Sequence, residues 1–165
     1  MNAAVENVRD SAAPALQQVL TFTLGDESFG VEILRVQEIR GWSRVTQIPE
    51  APPHVLGVLN LRGSIVPIVD LRTRLGLARV EHTPLTVIVV LSVESGNGRR
   101  DFGIVVDGVS DVTDLTAEHL KPTPDLGNVN TDYIRALAAV GERMVMLLDV
   151  DRLLVTDAER NYSLN

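Results

Sequence analysis

The apolar residues of this 165-residue chain come in short alternating runs, each closed by a turn. Val19 to Leu24 alternates, Gly25-Asp26-Glu27-Ser28 turns the chain, and Phe29 to Ile33 alternates again. A side-chain period of two on either side of a turn is the mark of a β-hairpin, because successive strand residues face opposite sides. Gly57 to Leu61, Arg62-Gly63-Ser64 and Ile65 to Val69 predict a second hairpin. Leu85 to Val93, Gly96-Asn97-Gly98 and Phe102 to Val106 predict a third, with further strands at Val109–Val112 and Arg143–Leu148. Pro49, Pro52, Pro53, Pro84, Pro122 and Pro124 punctuate the loops. Helix is confined to Asp70–Leu77 and Asp149–Val155, each opened by an Asp placed to cap the first turn. The predicted fold class is all-β, built as barrels or a sandwich.

The pattern occurs twice. Phe29-Gly30-Val31-Glu32-Ile33, followed by Val36 and Glu38-Ile39, is matched 73 positions on by Phe102-Gly103-Ile104-Val105-Val106, followed by Val109 and Asp111-Val112. Ile65 to Leu71 is matched 79 positions on by Met144 to Val150. The same elements in the same order predict a duplication: two small β-barrels in tandem, 18–83 and 84–155, dividing near His82 to Pro84. Residues 1–17 and 156–165 read as tails. With aromatics at 4%, the core is aliphatic. A unit of roughly 65 residues is marginal alone, so two would gain by packing together, with a crevice between them.

Several function classes lose support. The formal net charge of -7 and the scarcity of stacking aromatics disfavour nucleic acid and anionic membranes. There is no cysteine, so thiolate metal sites and disulfides are excluded. The cleanest apolar run, Val87 to Leu91, is far short of the ~20 residues a spanning helix needs. Glu6, Arg9 and Asp10 interrupt any signal-peptide pattern, so a cytoplasmic protein is expected. His54, His82 and His119 are too dispersed to pair on a metal and read as surface or loop-packing residues. Gly96-Asn97-Gly98 lacks the Lys-Ser/Thr of a phosphate loop, and Ser64 lacks the glycines of a nucleophile elbow. Asp107 and Asp111 read as solvated turn carboxylates. No catalytic residue, metal or cofactor is expected. A ligand-binding barrel would need a cavity with converging polar groups, for which only Asp70, Asp107 and Asp111 offer themselves.

The segment GVLNLRGSIVPIVDL, Gly57 to Leu71, stands apart. Arg62 lies at the hairpin turn. It is either a solvated turn charge or, paired across a groove with Glu38, a guanidinium fork held for an incoming carboxylate or helix terminus.

Three stretches resemble the CheW family of chemotaxis coupling proteins: FTLGDESFGVEILRVQEIRG (Phe22 to Gly41), GVLNLRGSIVPIVDLRTRLGL (Gly57 to Leu77) and FGIVVDGVSDV (Phe102 to Val112). The likeness runs from about Val19 to Leu154. It implies two SH3-like β-barrel subdomains and a non-enzymatic adaptor. The implied partners are the cytoplasmic tip of a transmembrane chemoreceptor and the regulatory domain of the histidine kinase CheA, placing the protein at membrane receptor arrays without inserting in the bilayer. It implies receptor contact through Val36, Glu38, Gly57, Asn60 and Arg62, and kinase contact through Arg40, Trp42, Ser43 and Val45. Trp42, the lone tryptophan, is either an exposed interface anchor or a buried packing residue. Self-association in rings, and service in a pathway controlling pili, biofilm or development, stay open.

Overall fold

The computed structural model describes residues 17–78, 80–96, 98–122 and 132–158, and these form eleven strands and two α-helices. The strands are β1 (Gln17–Leu24), β2 (Glu27–Glu32), β3 (Val36–Gly41), β4 (Val55–Leu61), β5 (Ser64–Asp70), β6 (Val87–Ser95), β7 (Gly98–Val106), β8 (Gly108–Leu115), β9 (Leu120–Lys121), β10 (Ile134–Val140) and β11 (Arg143–Leu148). Helix α1 spans Leu71–Arg74 and α2 spans Val150–Ala158. The three expected hairpins are β1–β2, β4–β5 and β6–β7.

One sheet runs in the order β8-β1-β2-β11-β10-β9, the other β3-β6-β7-β5-β4. Neither is confined to one side of the expected division at 83/84. The duplication explains why. Gly30 of β2 pairs in parallel with Leu147 of β11, and Gly103 of β7 pairs in parallel with Ile68 of β5. Those are the two sequence repeats, 73 and 79 positions apart, meeting in the same register across the halves. Each half therefore lends a hairpin to each sheet. A Cβ on Gly103 would sit 2.7 Å from Ile68 Cδ1, and one on Gly30 3.1 Å from Leu147 Cδ2, so at both positions the partner side chain lies close over a bare glycine and would have to shift to admit a Cβ.

Both sheets close by the same device. The chain leaving edge strand β3 crosses to the opposite edge, where Thr46 and Val58 exchange backbone hydrogen bonds of 3.0 and 2.8 Å. The chain leaving β8 crosses to β10 as β9. Closure removes exposed edges that would recruit other strands. It also accommodates Pro67 inside β5. Val58 spends both backbone groups on Thr46, and the parallel ladder to β7 begins only at Ile68, so no donor is missed at Pro67.

Three apolar clusters result. Leu61, Val66, Ile68, Ile88, Val90 and Val105 fill the second sheet's barrel, and Val19, Leu115, Ala138, Val145 and Leu147 fill the first's. The largest cluster draws on both sheets and both helices, from Phe22 and Phe29 to Phe102, Ile104, Leu153 and Leu154. Strands such as β5 and β7 carry continuous apolar runs because one face lines a barrel and the other lines this shared core.

The helices begin where expected. Asp70 Oδ1 accepts from the Arg72 N–H at 3.2 Å, and Asp149 Oδ1 from the Arg152 N–H at 3.1 Å. Helix α2 runs beyond the expected Val155, and Asp157 and Ala158 are buried. The C-terminal tail expected from residue 156 thus loses 156–158 to the helix; 159–165, like the N-terminal tail through residue 16, lie outside the described residues. Asp157 is held by His54, whose Nε2 lies 2.7 Å from Oδ1, so that histidine ties a loop to the core.

Two ion pairs clamp the barrels together, and the duplication relates them with the charges exchanged. Arg72, in α1 after β5, donates from Nε to Asp107 Oδ1 at 3.2 Å; Asp107 lies in the link from β7 to β8. Asp151, in α2 after β11, accepts from Arg35 Nη1 at 2.7 Å; Arg35 lies in the link from β2 to β3. Each carboxylate also takes a backbone N–H from the other sheet's hairpin, Asp107 from Gly25 at 2.6 Å and Asp151 from Glu94 at 2.9 Å. Asp107 is therefore structural rather than a solvated turn residue. Asp111 likewise accepts from Thr21 Oγ1 and Thr113 Oγ1.

Burial opposes ionisation of Asp107 and Asp151, but the arginine and backbone donors more than offset it and hold both carboxyls below their ordinary value. A carboxyl depressed by folding stabilises the protein above its unfolded pKa of about 3.9 and loses that contribution as pH falls toward the folded value. Urea unfolding from about pH 5 to 2 is therefore expected to show a steep acid loss for the natural chain and a flatter one for the Asp107→Asn, Asp151→Asn double variant. Equal slopes would remove the clamps from the stability of the fold.

Candidate functional site

The β4–β5 turn is built from Arg62 and Gly63, at φ 54° and 87°. Two positive φ values suit a two-residue hairpin whose twist matches its strands. Asn60 reinforces it, its Oδ1 accepting from the Gly63 N–H at 2.9 Å. Asn, Asp or Gly ordinarily occupies the first position, and the equivalent turn 79 positions on has Gly141 there, at φ 60°. The first half instead holds an arginine in the left-handed region, at a cost of roughly 1 kcal/mol. Strain kept at an exposed position points to use of the side chain.

The side chain reaches across the barrel closure. Arg62 Nη2 lies 3.1 Å from Glu38 Oε1, and Arg40 Nη1 lies 3.6 Å from Glu38 Oε2. Glu38 and Arg40 are two apart on β3 and share a face. Arg62's side chain is 76% exposed and that of Glu38 is 24% exposed, so the carboxylate is the floor and Arg62 the free arm. Two guanidiniums on one carboxylate leave a local positive charge on an acidic chain. The cluster is also incompletely bonded: Glu38 Oε1, although within ion-pair reach of Arg62, and Arg40 Nε have no hydrogen-bond partner among the described residues.

Other expected site residues are placed differently. Val36 packs, half-buried, against the shared core. Arg40, expected on the kinase face, joins the Glu38 cluster. Gly57 was expected to admit a partner's backbone, but a Cβ there would collide with the Thr46 carbonyl and press on Val45 Cγ2, so its bareness serves the closing strand of its own barrel. Gly57→Ala is accordingly expected to lower the unfolding free energy by about 1–3 kcal/mol in a denaturant titration; an unchanged midpoint would return Gly57 to the surface.

Trp42 is half-buried. Its backbone N–H extends the β3–β6 ladder to Thr86 O at 3.2 Å, and its ring stacks on His82 with centroids 3.7 Å apart. Both readings of it are met in part, since it packs against the second barrel's interior and walls an open cleft of about 440 Å³ with Arg44, Val45, Gln47, Leu56 and His82. Ser43 lies between Trp42 and Arg44 on the same crossing segment, outside that lining. Arg44 lies within the Arg40 to Val45 stretch expected to meet the kinase, whereas Gln47 and His82 lie outside it, because nothing in the local pattern links residue 82 to residue 42.

Among the described residues no three His, Asp or Glu side chains group as a metal site, and no helix is long and apolar enough to cross a membrane.

A family model described as CheW-like domain matches residues 18–158. Chemotaxis protein CheW of Klebsiella aerogenes is 48% identical over 142 residues, which cover 86% of this chain and 83% of that one. Chemotaxis protein CheW of Rhizobium meliloti is 40% identical over 136 residues, covering 82% of this chain and 85% of that one. The crystal structure of the scaffolding protein TtCheW from Thermoanaerobacter tengcongensis superposes with a TM-score of 0.77 at 25% identity, covering 90% of this chain and 97% of that one.

Proposed function

The chain belongs to the CheW family of chemotaxis scaffold proteins, and on that premise we propose that it joins the cytoplasmic tip of a chemoreceptor to the regulatory domain of the kinase CheA. The receptor tip is an α-helical hairpin, and it lies against the Glu38–Arg62 cluster. The observation that carries this reading is Arg62, kept at positive φ with an exposed fork already aimed by Glu38. Its spare donors take a carboxylate or the free carbonyls at a helix C-terminus through charge-assisted hydrogen bonds, and Arg40 supplies the second donor. The kinase contacts the crossing segment at Trp42, Ser43 and Val45.

No bond is made or broken in this reading. The shared core and the two clamps make the body stiff, so that one face reports on the other's position. Individually weak contacts become firm when receptor, adaptor and kinase are held in one assembly. The test is a parallel titration of the purified chain with a receptor-tip hairpin and with the kinase regulatory domain. Saturable binding of both is expected. Binding of neither would sink the proposal.

A further inference from the structure

The cleft beside Trp42 has a chemistry of its own. No carboxylate lines it, although acidic residues outnumber basic ones 22 to 15 along the chain. Arg44, Gln47 and His82 make no hydrogen bond or ion pair among the described residues, and Arg44 and Gln47 are exposed. The walls between them are apolar: the indole of Trp42, Val45 and Leu56. At about 440 Å³ the cleft holds a bulky side chain with its flanking backbone, not an extended helix. An unpaired guanidinium at the rim of an apolar slot is complementary to a carboxylate carried next to an apolar side chain.

We propose that this cleft is a docking slot for a peptide segment of the kinase regulatory domain that presents an apolar side chain flanked by Asp or Glu. The inference rests on the reading that the kinase meets the crossing segment, and it adds which chemistry the kinase must bring. The apolar side chain packs among Trp42, Val45 and Leu56, and the carboxylate meets the Arg44 fork. His82 stacks on the indole and holds it in place, so the slot is formed before the partner arrives and little ordering entropy is lost on binding.

Trp42 is the only tryptophan, so 5-fluorotryptophan labelling places a single ¹⁹F reporter in the cleft. Titration with the kinase regulatory domain is expected to shift or broaden that resonance. Arg44→Glu is expected to weaken binding at least tenfold, with Arg44→Lys retaining most of it, and the affinity of the natural chain is expected to fall with added salt. Receptor-tip binding by Arg44→Glu should stay at the natural level, which shows the variant is folded. If the kinase domain binds with the resonance unmoved and Arg44→Glu binds as well as the natural chain, the slot is wrong and the kinase reading stands. If the kinase domain does not bind at all, both fall. A shift produced only by receptor tip would assign the cleft to the other partner and overturn the proposal.

Discussion

Replacing Arg62 by glycine is expected to weaken receptor binding roughly 30-fold while leaving the protein about as stable as before. The two effects separate because Arg62 does two opposed things. Its backbone sits at φ 54°, where glycine is at ease and arginine is not, so glycine recovers roughly 1 kcal/mol. Its exposed side chain pairs with the half-buried Glu38, and a pair with so exposed a partner contributes about 0–1 kcal/mol. The terms nearly cancel, and the melting temperature should move by a few degrees at most. Binding is different. When a receptor helix covers the site, the guanidinium is desolvated against Glu38 and its new partner, and loss of a central interface arginine typically costs about 2 kcal/mol or more, roughly 30-fold in affinity. Arg62→Lys should recover charge without the bidentate fork and fall between. Full receptor coupling by Arg62→Gly would mean that the strained turn serves some other end.

Cutting the chain between 83 and 84 is expected to leave two fragments that do not fold apart and that refold when mixed. The first fragment carries β1 to β5 and the second β6 to β11. Apart, β2 lacks its parallel partner β11, and β5 lacks β7. The shared core also splits, with Leu20, Phe22, Phe29 and Val69 in one piece and Phe102, Ile104, Leu153 and Leu154 in the other. Each fragment also loses one end of both clamps. Pieces of this size bury too little surface to fold on a remnant. Circular dichroism of each fragment should lack a cooperative melt, and the mixture should regain one. A cooperative transition from either piece alone would mean that a sequence half is a folding unit after all.

That exchange of hairpins marks where the sequence stops being readable. Antiparallel neighbours announce themselves through a turn, and three of the four hairpins, β1–β2, β4–β5 and β6–β7, were legible; the fourth, β10–β11, was not. Parallel pairing has no local mark, because β2 and β11 are joined by most of the chain. The repeats were nonetheless visible, and their spacings of 73 and 79 carry one parallel ladder onto the other: Gly30 with Leu147, and Gly103 with Ile68. Strand β10, with its IRALAAV run, was absent from the expected strands because alanine carries no strand preference; its pairing with β11 and β9 decides it.

At the site, Glu38 and Arg62 were legible as a pair, since one sits at a hairpin turn and the other interrupts an apolar strand. Gly57 was legible as a place without room, but not whose backbone fills that room. Asp107 looked like a turn carboxylate until Arg72 and Gly25, brought from sites before it in the chain, met it. The cleft beside Trp42 depends on a stacking contact with His82, which leads into the neighbouring strand β6, and no spacing encodes it.

Bridging is the function proposed, and co-sedimentation measures it directly. Receptor-bearing vesicles are spun down with the CheA regulatory domain, with and without this chain. The adaptor reading predicts that the kinase domain pellets with the vesicles when the natural chain is present, and stays in the supernatant without it or with Arg62→Gly. A kinase domain that pellets equally in all three tubes, or in none, would contradict it.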